Sequence, residues 1–164
     1  MTTLSSFSSD ESSKIRVRPF VEADRAFVLG LVPRLVIGIP PWRDPERVLA
    51  TAQEWLAGSI ENHGGKTMVF IAEVAQGERL GVATVSHARH FTGVGQAYIG
   101  ELAVSEAAEG KGAGQALVAA CEQWAREQGY AFLSLETGMA NTRARGFYHH
   151  LGFQEEEVRL VKVL

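Results

Sequence analysis

Leu102-Ala103-Val104-Ser105-Glu106-Ala107-Ala108-Glu109-Gly110-Lys111-Gly112-Ala113-Gly114 is the stretch on which the fold reading turns. An apolar strand ends at Val104, and a short loop carries glycines at three alternate positions. A helix then runs from Gln115 to Gln128, with Leu117, Ala120, Cys121 and Trp124 on one face. Glycine allows backbone to approach a ligand closely, and a helix N-terminus presents unpaired N–H groups with a partial positive charge. Such a unit suits an anionic group, above all a diphosphate. Two common phosphate loops fit poorly. Gly112 rather than Ser or Thr follows Lys111, against a P-loop, and the spacing G-x-G-x-G is not the dinucleotide G-x-G-x-x-G. Taken alone, the three glycines also fit a purely structural turn.

Working outward, Ala97–Val104 reads as a strand behind the loop Phe91–Gln96. Thr67–Ala75 and Leu80–Ala88 read as a hairpin across Gln76-Gly77-Glu78-Arg79. Asp44-Pro45 is an N-cap followed by proline at the first helical position, and it opens a helix whose stripe is Val48, Leu49, Ala52, Trp55, Leu56 and Ile60. Before it come a short strand, Ile15–Arg18, stopped by Pro19, and a helix from Glu22 that Pro33 ends or kinks. Downstream, Gly129 closes the long helix, Phe132–Glu136 is a strand, Thr142–His150 a helix, and Phe153–Leu164 one more strand. The β–loop–α–β unit at 97–136 implies a parallel strand pair across a right-handed crossover. Residues Met1–Ser13, with six serines, read as a disordered tail, leaving 14–164 as one mixed α/β domain.

The composition sets limits. The chain has 164 residues, 46% of them hydrophobic, enough for a substantial core. Sixteen Lys and Arg against 19 Asp and Glu give a formal charge of −3, which argues against a nucleic-acid protein acting through a general basic field. Mean hydropathy is −0.02, and no apolar run approaches the roughly 20 residues a bilayer span needs. One cysteine, Cys121, cannot form an intramolecular disulfide or a cysteine-rich metal site. The first residues lack the basic and apolar blocks of a secretory signal. A soluble cytoplasmic protein, without metal, membrane or nucleic-acid partner, is the expectation.

Residues 98–153 resemble the core of the GNAT superfamily of acyl-CoA-dependent N-acetyltransferases. Tyr98-Ile99-Gly100-Glu101-Leu102-Ala103-Val104 is similar to the family's fourth strand, and Glu109-Gly110-Lys111-Gly112-Ala113-Gly114 to its Q/R-x-x-G-x-G/A diphosphate loop. Asn141 and Ala144-Arg145-Gly146-Phe147-Tyr148-His149-His150-Leu151-Gly152-Phe153 resemble its later asparagine and A-x-x-F-Y-x-x-x-G-F segment. The resemblance implies a GNAT-like α+β fold: a mixed sheet of six to seven strands, flanked by about four helices and splayed between strands four and five. It also implies acetyl-CoA as co-substrate and direct transfer to a primary amine of a small molecule or peptide.

Residue by residue, the resemblance implies cofactor contacts from Leu102, Ala103, Val104, Glu109, Gly110, Lys111, Gly112, Ala113, Gly114, Asn141 and Tyr148. Tyr148 takes the general-acid position; a phenol near pKa 10 stays protonated at neutral pH and can donate to a thiolate. Packing beside Phe147 is its plainer role. For the base, Glu101 stands on the strand face opposite Leu102 and Val104. Glu136, His87, His90 and water are the other candidates. Glu109 departs from the family's Gln or Arg; its carboxylate is expected either to turn outward and lower cofactor affinity or simply to be solvated. Asn141 also fits a plain helix cap, and Trp42 is the tryptophan considered for an acceptor wall. A non-catalytic acyl-CoA-binding module and a small nucleotide-binding protein are the competing readings, and a homodimer through edge strands or the exposed apolar loop is compatible with all of them.

Overall fold

The computed structural model describes residues 14–164; the serine-rich stretch read as a tail lies outside the described residues. Strand β1 (Arg16–Pro19) ends at the proline, which has no N–H to continue a ladder. A 3-10 turn, Glu22–Asp24, leads into α1 (Arg25–Gly30). The chain breaks at Leu31 and restarts as α2 (Val32–Leu35), with Pro33 in the first turn, where a missing N–H costs nothing. Asp44 caps α3 (Pro45–Glu61), accepting from the Glu46 and Arg47 N–H groups at 3.0 and 3.4 Å. Its expected apolar stripe is only partly used: Leu56 and Ile60 are buried, whereas Trp55 stands 68% exposed.

The hairpin follows as β2 (Thr67–Glu73) and β3 (Arg79–Arg89), then come β4 (Gly95–Val104), α4 (Ala113–Glu127), β5 (Leu133–Leu135) and α5 (Thr142–His150). Helix α4 closes on Gly129, at φ +78°, with Tyr130 N–H donating to Ala125 and Gly129 N–H to Arg126, a Schellman motif. The five strands lie in sequence order; β1 to β4 are antiparallel and β4 pairs β5 in parallel. Helix α4 covers one face over Val85, Ala97 and Ile99, while α1 to α3 cover the other over Val69, Ile71 and Val82.

Two expectations need correction. The sheet has five strands among the described residues, not six or seven, because 153–164 forms no strand. Strand β5 offers a three-residue edge, too short to template a long partner, and Glu155 pairs with Arg145 of α5 at 2.5 Å, which draws the segment toward that helix. Its alternating Val158 and Leu160 stay exposed. The sheet's first edge is held by a buried ionic network. Asp24, fully buried, accepts from Arg18, Arg79 and the Val21 N–H, and buried Glu73 accepts from Arg16 and Arg18. Burial pushes the Asp24 carboxyl up, but these donors outweigh it and hold it well below the usual carboxylate range.

Candidate active site

The site begins with an irregularity in β4. Opposite the single residue Thr84 of β3 stand two residues of β4, Gly100 and Glu101, a β-bulge. The Thr84 hydroxyl fills it, accepting from the Glu101 N–H at 3.0 Å and donating to the Glu101 carboxylate. A Cβ at Gly100 would stand 3.1 Å from that hydroxyl, so glycine is what the bulge admits. The parallel ladder between β4 and β5 stops just before the bulge, at Ile99 and Leu135. Beyond it, the edge of β4 from Gly100 to Val104 has no strand beside it among the described residues. This is where the splay is expected: past Ile99 no strand among the described residues neighbours this edge of β4, so an extended amide-bearing arm can bond in that gap as a strand does.

At the far end of the gap lies the glycine loop. Gly110 and Gly112 take φ +72° and +90°, the left-handed region that favours glycine. Helix α4 therefore starts on a residue without a side chain. Helices α3 and α5 carry the side-chain caps Asp44 and Asn141; α4 has none, and its first N–H groups stay open to an anion. Gly114 serves packing, since the Phe147 ring lies 3.2 Å from where its Cβ would be. Asn141 caps α5, accepting from the Ala144 N–H at 3.1 Å and donating to the Ile37 carbonyl at 3.4 Å. That ties the turn after α2 to the start of α5. These residues fit a nucleotide diphosphate with a peptide-like arm. Comparison with known proteins points the same way: residues 34–153 match the Acetyltransferase (GNAT) family.

The chain belongs to the GNAT acetyltransferase family. A Bacillus subtilis (strain 168) protein, the uncharacterized N-acetyltransferase YhfO, is 31% identical over 109 residues, 66% of this chain and 71% of that relative. A proposed acetyl transferase from Pyrococcus furiosus superposes with a TM-score of 0.73 at 22% identity, covering 92% of this chain and all of the other. The aminoglycoside N-acetyltransferase AAC(6')-Iy in complex with CoA superposes with a TM-score of 0.66 at 20% identity, over 92% of this chain and 95% of the other. At such identities the structural likeness establishes the GNAT fold.

On the α3 face of this GNAT sheet, next to the bulge, a cleft of about 440 Å³ is lined by Glu54, Trp55, Ser59, Thr84, Tyr98 and Glu101 among others, with no Lys, Arg or His among the described residues. Glu101 is 8% exposed, and both the Ser59 hydroxyl (3.0 Å) and the Thr84 hydroxyl donate to its Oε2, so Oε1 is the atom left to face a ligand. Burial, then Glu136 and Glu101, push the Tyr98 phenol up, which keeps it a donor. Tyr148 on α5 packs edge-on against Phe147 and Phe153, and burial pushes its phenol up to about 12. Cys121 is buried and its thiol is likewise pushed up to about 12, so it stays an unreactive core group. Among the described residues, no three His, Cys, Asp or Glu side chains cluster to hold a metal.

Several candidates are not brought together. His87 turns to the α4 face, bonding Tyr130 Oη at 2.6 Å and packing on Trp124, and His90 bonds Thr92 and faces Glu156 and Glu157. Glu136, by contrast, is exposed beyond β5 but close enough to Tyr98 to raise its phenol, and Trp55, not Trp42, is the tryptophan lining the cleft. Glu109 does not turn out to solvent; it is half-buried and ion-paired with Arg34 and with Arg143, the latter at 2.6 Å. Sequence reasoning missed Thr84, Ser59, Tyr98 and this arginine pair. Only the first had a signal: a glycine inside a strand marks a bulge, and the bulge needs a filler.

Proposed function

We propose that this GNAT chain is an acetyl-CoA-dependent N-acetyltransferase that moves the acetyl group to a primary amine of a small, cationic molecule by direct attack in a ternary complex. The observation that carries the proposal is the junction at Gly100–Glu101. There the β4–β5 ladder ends, the gap opens toward the uncapped start of α4, and a buried carboxylate faces an acidic cleft. When bound, acetyl-CoA supplies a thioester carbonyl and a thiolate leaving group.

The remaining work falls to this chain's residues. The backbone of Leu102, Ala103 and Val104 holds the amide-bearing arm along the free edge of β4. The open N–H groups at Gly112, Ala113 and Gly114, with Gly110 shaping the loop and Lys111 beside it, hold the diphosphate, and Asn141 ties the start of α5 to the turn after α2. An amine must shed a proton before it can attack. Glu101 is placed to take it, directly or through one water, because both supporting hydroxyls bond Oε2 and leave Oε1 available. Tyr148, protonated throughout the neutral range, donates to the departing sulfur. Glu54 and Glu101 favour a cationic acceptor over an anionic one, and the exposed Trp55 face adds an attraction for the same charge.

The test is free-thiol release from acetyl-CoA across a panel of amines, with thermal shifts by coenzyme A, ATP and NAD in parallel. Stabilisation by coenzyme A alone, and turnover with cationic small amines, is expected. Stabilisation by ATP or NAD and not coenzyme A, or coenzyme A binding with no thiol release on any amine, overturns it.

A further inference from the structure

The loop position at which the family resemblance expects Gln or Arg holds Glu109, a carboxylate placed where a diphosphate is to bind. Uncompensated, it would repel that ligand. It is not uncompensated. Arg34 of α2 donates through Nη2 to Glu109 Oε1 and through Nε to the Val104 carbonyl at 3.3 Å, while Arg143 of α5 donates through Nη1 to Oε2 at 2.6 Å. Two guanidinium groups, far apart in sequence, thus converge on one carboxylate at the rim of the loop. The trio carries a net charge of +1, and neither arginine spends all five of its donors. Arg34 also touches the last carbonyl of the open β4 edge, so the trio sits where that edge meets the glycine loop.

Resting on the coenzyme A reading above, we infer that Arg34 and Arg143 supply from outside the loop the cationic contact to the diphosphate that the loop's own first residue lacks, and that Glu109 is a positioning residue that holds the two arginines in place. Held on opposite oxygens of one carboxylate, the guanidiniums do not drive each other apart in the free protein. Their remaining N–H groups are planar forks suited to phosphate oxygens. The specificity that follows is for the phosphorylated carrier over its phosphate-free arm.

Calorimetry at two salt concentrations tests this with coenzyme A and with S-acetylpantetheine, which has the arm but no phosphate. Arg143 is 73% exposed, so Arg143→Gln leaves the fold intact. It should weaken coenzyme A about tenfold, reduce the salt dependence of binding, and leave S-acetylpantetheine unchanged. Arg34→Gln/Arg143→Gln should weaken coenzyme A further, and adding Glu109→Gln to that pair should restore part of the loss, because the carboxylate then repels the diphosphate no longer. A role confined to packing would not give that rescue. If the wild type binds coenzyme A and Arg143→Gln binds it equally well, or if Glu109→Gln rescues nothing, the inference fails and the acetyltransferase reading stands. If the wild type binds no coenzyme A at all, the acetyltransferase reading itself fails.

Discussion

Replacing Tyr148 by phenylalanine removes one oxygen and keeps the ring that packs 5.2 Å from Phe147 and 5.6 Å from Phe153, so the fold should hold. Burial lifts the phenol to about 12, whereas a thiol such as the leaving group ionises near 8.5. Full proton transfer to a free thiolate would therefore run uphill by roughly 5 kcal/mol. The hydroxyl must act chiefly as a hydrogen-bond donor to growing negative charge, finishing its transfer as the amine's proton becomes available. A hydrogen bond to a charged group contributes about 1.5–3 kcal/mol, which converts to a loss of about tenfold to 150-fold in turnover. Thiol release at saturating amine measures that loss. Calorimetry should show coenzyme A affinity changed by less than about twofold, since the effect lies in the transition state. The wild-type rate should also show no alkaline loss from this group below about pH 11, because a raised acid keeps its proton. Turnover of Tyr148→Phe within about twofold of wild type would refute the role.

Other outcomes follow from the same geometry. Glu101→Gln should lower turnover by about 10²-fold or more while melting close to wild type, because Ser59 and Thr84 can still donate to an amide oxygen; an unchanged rate would hand the base role to water. Asp24→Asn leaves Arg18 and Arg79 without their buried partner. As both guanidiniums keep some solvent contact, 27% and 33%, we expect about 3 kcal/mol of destabilisation and a melting point lower by roughly 6–12 °C. Asp24 and Glu73 both titrate below their unfolded values, so their stabilisation is complete above about pH 5 and is lost as pH falls through the folded values. Acid melts should show that loss in the wild type and less of it in Asp24→Asn. Gly112→Ala forces an L-residue to φ +90° at a cost of about 1–2 kcal/mol, and should weaken coenzyme A by disturbing the start of α4.

The sequence made legible what is local and periodic. The Asp44 cap, the hairpin at Gly77, the glycine loop and the Asn141 cap each announce themselves within a few residues, and all stand where they were read. The family resemblance carried the splay, which no periodicity could show. Misreadings came where distant residues decide. Val158 and Leu160 alternate like a strand, yet strand pairing needs a partner edge, and β5 is three residues long. Glu109 read as solvated because its partners stand 75 and 34 positions away in the chain. Trp55 fell on a helical stripe, but from that face the core takes Ala52, Leu56 and Ile60, leaving the indole beside the cleft.

A crystal structure of the protein with coenzyme A bound tests the central claim most directly. The diphosphate should lie on the backbone amides at Gly112–Gly114, with the pantetheine arm between β4 and β5 and the sulfur near Tyr148 Oη. A carrier found elsewhere, or a gap closed by side chains with the ladder continued past Ile99, would contradict it.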